Sequence, residues 1–80
     1  MLTVNRKQNT IWINDDVNVS VLKDLNGKYI KVNVWDDVCL SSDHFFRCPL
    51  EAAEYINTIA PEQNTVLDTH NAISEILINC

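Results

Sequence analysis

The first half of the chain alternates between apolar and polar residues with the period of two that is typical of β-strands. Asn26-Gly27, a pair that favours tight hairpin turns, separates two of these alternating segments. The pattern predicts strands near residues 2–7, 10–13, 17–22 and 29–34, with a fifth short strand at Val38 and Leu40.

From Ser41 the apolar spacing changes to that of helices. Pro49 in a first turn and Pro61 at the end bound one predicted helix, whose apolar stripe is Leu50, Ala53, Ile56 and Ala60. A second helix carries the stripe Val66, His70, Ile73 and Leu77. This stripe either covers the sheet or binds a groove on a partner, and its breadth favours covering the sheet.

These elements predict a mainly β, α+β fold of five short antiparallel strands followed by two amphipathic helices. Residues 1–47 would form the β domain, and residues 48–80 an acidic helical extension packed on the same domain. A chain of 80 residues buries a limited core, so support from a partner subunit is expected.

Charge is distributed unevenly along the chain, whose net charge is −5. All six Lys and Arg residues lie within 1–47, whereas 48–80 holds five acidic residues and no Lys or Arg. Because phosphate contacts supply much of the affinity for nucleic acids, any such surface must be local and use Arg6, Lys7 and Lys31. No export signal or membrane span is predicted, so a cytoplasmic protein with reduced thiols is expected.

The ordered strands of residues 1–46 resemble the carbon storage regulator (CsrA/RsmA) family of small bacterial proteins that bind messenger RNA. No single motif carries the likeness; the order of the segments and their position at the start of the chain do. The matching segments are MLTVNRK at 1–7, TIWIND at 10–15, VNVSVL at 17–22, Gly27 followed by IKVNV at 30–34, and DVCL at 37–40.

The resemblance implies an interlaced homodimer in which the first strand of each chain pairs with the last strand of the other. It also implies RNA bound at two symmetric edges, with a GGA triplet of a hairpin loop recognised there. Val4, Arg6 and Lys7 of the first strand and Val38 and Leu40 of the last would form each site. The function implied is post-transcriptional regulation of messages, without catalysis.

An alternative hypothesis is a protein-interaction module or antagonist, of phage or mobile-element origin, on the same fold with RNA binding lost. It is motivated by Ser42, which stands where the family has an arginine, and by the acidic residues 48–80 as a protein-binding surface. A third hypothesis is that the acidic extension masks the RNA edge of its own chain.

The remaining chemistry-bearing residues favour simpler roles. Cys39, His44 and Cys48, with His70 or Cys80, match no standard zinc spacing, and cysteines as small core residues are the favoured interpretation. Trp12 and Trp35 could stack on bases, but aromatic residues on strands more often occupy a core or a subunit interface. No cofactor, metal site or catalytic group is predicted.

Overall fold

The computed structural model describes residues 3–35, 40–61 and 66–79. These residues form one antiparallel sheet with the strands in chain order, followed by two helices, which is the α+β fold that the sequence predicts. The strands are β1 (Thr3–Asn5), β2 (Thr10–Trp12), β3 (Val17–Asp24), β4 (Gly27–Trp35) and β5 (Ser41–Phe46). The helices are α1 (Pro49–Ile59) and α2 (Val66–Asn79).

The hairpin between β3 and β4 forms at the predicted place, with its turn one residue earlier than the Asn26-Gly27 signal. Asp24 pairs with Gly27, so Leu25 and Asn26 occupy the tip. The Asp24 carboxylate accepts a hydrogen bond from the Asn26 backbone N–H at 2.8 Å. Gly27 has a φ of +114°, a conformation that favours glycine.

Alternation along the strands divides their side chains between two faces of the sheet. The apolar positions lie on one side, which we call the covered face, and pack under the two helices. Its buried members are Ile11, Ile13, Val17, Val19, Val21, Ile30 and Val32, joined in one core by Ala52, Ile56, Ala60, Ile73 and Ile76.

The stripe of α1 lies slightly off the predicted one. Ala52, Ala53 and Ile56 are buried, whereas Leu50, placed in the stripe by its spacing, is exposed. Proline in the first turn has the predicted position, and the preceding Cys48 makes no capping hydrogen bond through its side chain. The small alanines allow α1 to lie close to the sheet.

The stripe of α2 covers the core, as the sequence favours. Thr69, Ile73 and Ile76 are its buried residues, and Val66 and His70 lie at the margin, half-buried. The buried line therefore passes through Thr69 rather than His70, because Ile73 and Ile76 together fix which side of α2 meets the sheet.

The fifth strand lies later than predicted. β5 starts at Ser41, so the exposed Leu40 precedes it, and Val38 lies outside the described residues. His44 and Phe46 alternate onto the covered face and contact the Tyr55 ring of α1, with centroids 4.8 and 5.5 Å away. These ring contacts with α1 supply the apolar packing of residues 41–46, which lack the alternating valines of β3 and β4.

Neither described helix combines the length and the apolar character needed to cross a membrane.

Candidate nucleic-acid interface

The RNA-binding residues predicted from the sequence lie at three separate places in one chain. Val4 belongs to β1, an edge strand, and Arg6 and Lys7 follow in the turn to β2. Leu40 precedes β5, which is the opposite edge of the sheet. A site that joins Val4, Arg6 and Lys7 to Leu40 therefore requires a second chain.

Lys31 lies at the centre of the second face of the sheet, which no described element covers. We call this the open face. Its side chains alternate with the buried positions and are Thr3, Asn5, Thr10, Trp12, Asn18, Ser20, Leu22, Asp24, Tyr29, Lys31, Asn33, Trp35, Ser41, Asp43 and Phe45. Ser20 and Phe45 lie directly beside Lys31 on the neighbouring strands.

A hydrogen-bonded row of polar side chains crosses the open face. The Asn18 amide donates to Asn33 Oδ1 at 3.2 Å, and the Asn33 amide donates to Asp43 Oδ1 at 2.7 Å. Trp12 lies beside the row, because it pairs with Asn18 across the β2–β3 ladder, and Thr3 of β1 lies beyond it. The row fixes amide groups on a surface that water or a ligand can reach.

Both tryptophans lie on the open face and outside the core. Trp12 is 41% exposed and Trp35 is 43% exposed, so the core role favoured for strand aromatics is wrong within this chain. Trp35 is the last residue of β4 and lies on the other side of the polar row from Lys31. The Trp35 backbone N–H donates to the Asp16 carbonyl at 2.8 Å. Exposed indole rings on a rigid sheet offer flat surfaces on which bases can stack.

A groove of about 710 Å³ lies where the open face meets the start of α1, and we call it the aromatic pocket. Tyr29 and Phe45 form part of its wall, with ring centroids 5.9 Å apart and planes inclined by 54°. The Arg47 guanidinium lies 5.9 Å from the Tyr29 ring centroid. The full lining is Asp24, Tyr29, Phe45, Phe46, Arg47, Cys48 and Glu51.

Several cations of the sheet are engaged by other groups of the chain. Arg6 forms an ion pair with Glu75 of α2, and Lys28 Nζ donates to the Leu77 carbonyl at 2.7 Å. Arg47 pairs with Asp24 at 3.0 Å. Among the described residues Lys31 makes no ion pair, so it is the cation of the open face that can meet an anion.

The Asp24 carboxylate is held ionised by the hairpin tip. The backbone N–H of Asn26 is the main cause that lowers its pKa, and the hydrogen bond and charge of Arg47 lower it further. Desolvation opposes these effects without reversing them. Asp24 therefore fixes Arg47 beside Tyr29, at the edge of the aromatic pocket.

The one cysteine within the described residues does not have the core role that the sequence favours. Cys48 is an exposed free thiol rather than a small core residue, and Cys39 and Cys80 lie outside the described residues. Within ranges 3–35, 40–61 and 66–79, no group of three or more His, Cys, Asp or Glu side chains could hold a metal ion.

Sequence reasoning missed most of the open face. Tyr29 and the two asparagines of the polar row were not recognised as site residues, because alternation identifies the core and leaves the intervening positions as a wet surface. Both tryptophans, which the sequence analysis considers for base stacking, occupy these intervening positions, and that coincidence is the signal that could have identified the face.

Comparisons with family models, with curated proteins and with solved structures find no match to this chain.

Proposed function

We propose that this chain binds single-stranded RNA and acts as a post-transcriptional regulator, the function that its resemblance to the CsrA family implies. It would act by occupying messages in the cytoplasm, without catalysing a reaction. The observation that carries the proposal is the open face, where a cation without an ion pair lies among exposed aromatic rings and amide groups.

The composition of this face fits unpaired RNA better than a duplex. Single-stranded RNA is bound by sheets whose aromatic residues stack on splayed bases, while side-chain donors and acceptors meet the base edges. Trp12, Trp35 and Phe45 supply rings, Asn18 and Asn33 supply amides, and Lys31 supplies a positive charge for a phosphate.

Most carboxylates of the helices lie on the side of the sheet away from the open face. The described part of residues 48–80 carries Glu51, Glu54, Asp68 and Glu75 on the two helices, which lie over the covered face. The open face lies on the side of the sheet away from these helices. A polyanion on this side avoids the charges of Glu54, Asp68 and Glu75. It still meets Asp43 on the open face and Glu51 at the aromatic pocket, so binding depends on local contacts such as that of Lys31.

The edge site implied by the resemblance belongs to the same proposal. Val4, Arg6 and Lys7 would meet Val38 and Leu40 of a partner copy in the interlaced homodimer. RNA would then cross from the open face of one chain onto a shared edge. Arg6 would have to exchange its ion pair with Glu75 for a phosphate or a base.

The test is titration with a hairpin RNA that carries GGA in its loop, followed by tryptophan fluorescence. The chain has two tryptophans, and both lie on the open face, so stacked bases should quench the emission. Lys31→Ala should weaken binding about fivefold at 0.1 M salt and lower the salt slope by about 0.7, the effect of one lost phosphate contact.

Lys23→Ala is the matched control, because Lys23 lies near the hairpin tip on the side opposite Lys31 and carries the same charge. It should leave the quenching and most of the affinity intact. Equal losses for the two variants, or binding without quenching, would contradict an open-face site. Arg6→Ala tests the edge separately and should abolish hairpin binding while the dimer survives.

A second candidate function, a protein-interaction module, is favoured by the outer side of α2. Leu67 and Ile78 are exposed and lie three helical turns apart on one side, next to the acidic Asp68 and Glu75. Such a surface fits a basic protein partner. Co-purification of a protein without nucleic-acid absorbance, lost in Leu67→Ser, would support it.

A further inference from the structure

The aromatic pocket continues the open face at the end where Lys31 lies. Phe45 is the direct cross-strand neighbour of Lys31, and it also lines the pocket. Residues opposite each other in an antiparallel pair lie about 5 Å apart. A nucleotide whose phosphate meets Lys31 can therefore place its base beside Phe45 and in the pocket.

The pocket has one carboxylate positioned to accept a hydrogen bond from a ligand. Asp24 is engaged, since it accepts from the Asn26 backbone N–H and from Arg47. Glu51 lies on the first turn of α1, is exposed, and makes no ion pair within the described residues. An ionised carboxylate accepts hydrogen bonds and donates none.

We propose that the aromatic pocket holds one unpaired base of the bound RNA and selects bases that carry an exocyclic amino group. This inference rests on the proposed function. Tyr29 and Phe45 supply the stacking surface, and Glu51 accepts the hydrogen bond from the amino group.

Cytosine and uracil form the sharpest comparison. The two bases have nearly the same shape, but the 4-position of cytosine carries an amino donor, where uracil carries a carbonyl acceptor. A carboxylate accepts from the amino group of cytosine, whereas against uracil two acceptors would face each other. The pocket therefore binds uracil more weakly than cytosine, because the carboxylate and the uracil carbonyl cannot hydrogen-bond to each other.

The experiment measures binding of oligocytidylate and oligouridylate of equal length to the whole chain by fluorescence anisotropy. The wild-type chain should prefer oligocytidylate about tenfold, the value of one base-edge contact. Glu51→Gln should reduce this preference to about twofold or less, because the amide of glutamine can donate to the uracil carbonyl as well as accept.

Glu54→Gln is the matched control. It removes the same charge from the next turn of the same helix and lies outside the pocket lining. Each variant removes one negative charge, and that loss alone should strengthen binding of both oligonucleotides slightly. Glu51→Gln should in addition favour oligouridylate relative to oligocytidylate. Glu54→Gln alone should retain the tenfold preference.

The outcomes separate the two proposals. If wild type binds neither oligonucleotide and no GGA hairpin, the proposed function fails, and this inference fails with it. If wild type binds both oligonucleotides equally, the pocket inference is overturned while RNA binding stands. Phe45→Ala, at a side chain 61% exposed, should also lose the preference without unfolding the chain; an undiminished preference would contradict the pocket.

Discussion

The two faces of the sheet use the same strands for different purposes. On the covered face, Val19 and Val32 pair across β3 and β4 and are buried under the helices. On the open face, one residue further along, Asn18 pairs with Asn33 and their amides hydrogen-bond at 3.2 Å. One face therefore supplies stability, and the other leaves directional groups available for a ligand.

The cations show the same division. Arg6 and Lys28, on the covered side, are held by α2 through Glu75 and the Leu77 carbonyl. Lys31, on the open face, has no ion pair among the described residues. Helix α2 thus engages two cations on its own side of the sheet, one through a carboxylate and one through a backbone carbonyl, and leaves Lys31 to an external anion.

The largest expected effect compares two isomeric aliphatic side chains on neighbouring strands. Ile30 is 0% exposed on the covered face, and Leu22 is 37% exposed on the open face. Ile30→Ala should lower the free energy of unfolding by about 2–5 kcal/mol through lost burial and a cavity. Leu22→Ala should lower it by about 1 kcal/mol or less. Urea denaturation of both variants measures the difference.

Similar losses for Ile30→Ala and Leu22→Ala would break the comparison. That result would mean that the open face is itself buried in solution, by a second copy of the chain. Sedimentation of both variants across a range of concentrations separates this case, because burial in a dimer makes stability concentration-dependent.

The strands were predictable because successive side chains of a strand point to opposite faces of the sheet. The hairpin was predictable because few residues adopt the backbone conformations of a tight turn. β5 was placed too early, since SSDHFF at 41–46 lacks the aliphatic alternation that the other strands show. Its apolar partners are on α1, through Tyr55, and such a long-range contact leaves no local pattern.

The candidate site was harder to predict than the fold. Lys31 was selected for its charge, but its aromatic neighbour Phe45 belongs to a strand whose register with β4 emerges only in three dimensions. The ion pair between Arg6 and Glu75 joins residues 69 positions apart. Sequence patterns give the face on which a residue lies, and register decides what it meets.

An intermediate effect is expected where β4 holds the end of α2. Lys28→Met keeps the aliphatic stem but removes the hydrogen bond to the Leu77 carbonyl. The free energy of unfolding should fall by about 1–2 kcal/mol, since charged donors form stronger hydrogen bonds. Hydrogen exchange should become faster in the last turn of α2 and stay unchanged in β3. Lys23→Met, a charge-matched change, should leave both unchanged.

A smaller effect is expected for the ion pair between Arg6 and Glu75, whose side chains are 61% and 52% exposed. A double-mutant cycle with Arg6→Ala and Glu75→Gln should give a coupling energy of about 0–1 kcal/mol, which salt reduces. If Arg6 contacts RNA, Glu75→Gln should also strengthen hairpin binding. Unchanged hairpin affinity would argue against masking of the edge by α2.

The smallest effect concerns pH and the Asp24 carboxylate. Its pKa in the folded chain lies below the ordinary value of 3.8, chiefly because the Asn26 backbone N–H donates to it. The stability that the ionised Asp24 carboxylate adds to the folded chain is therefore fully present above pH 3.8. It is lost as the pH falls through the lower pKa of the folded state. The stability difference between wild type and Asp24→Asn, measured by urea denaturation, should shrink over that acid range. Asp15→Asn, which removes the same charge from an exposed turn, should show a smaller change; equal changes would mean that the hairpin tip does not hold the carboxylate ionised.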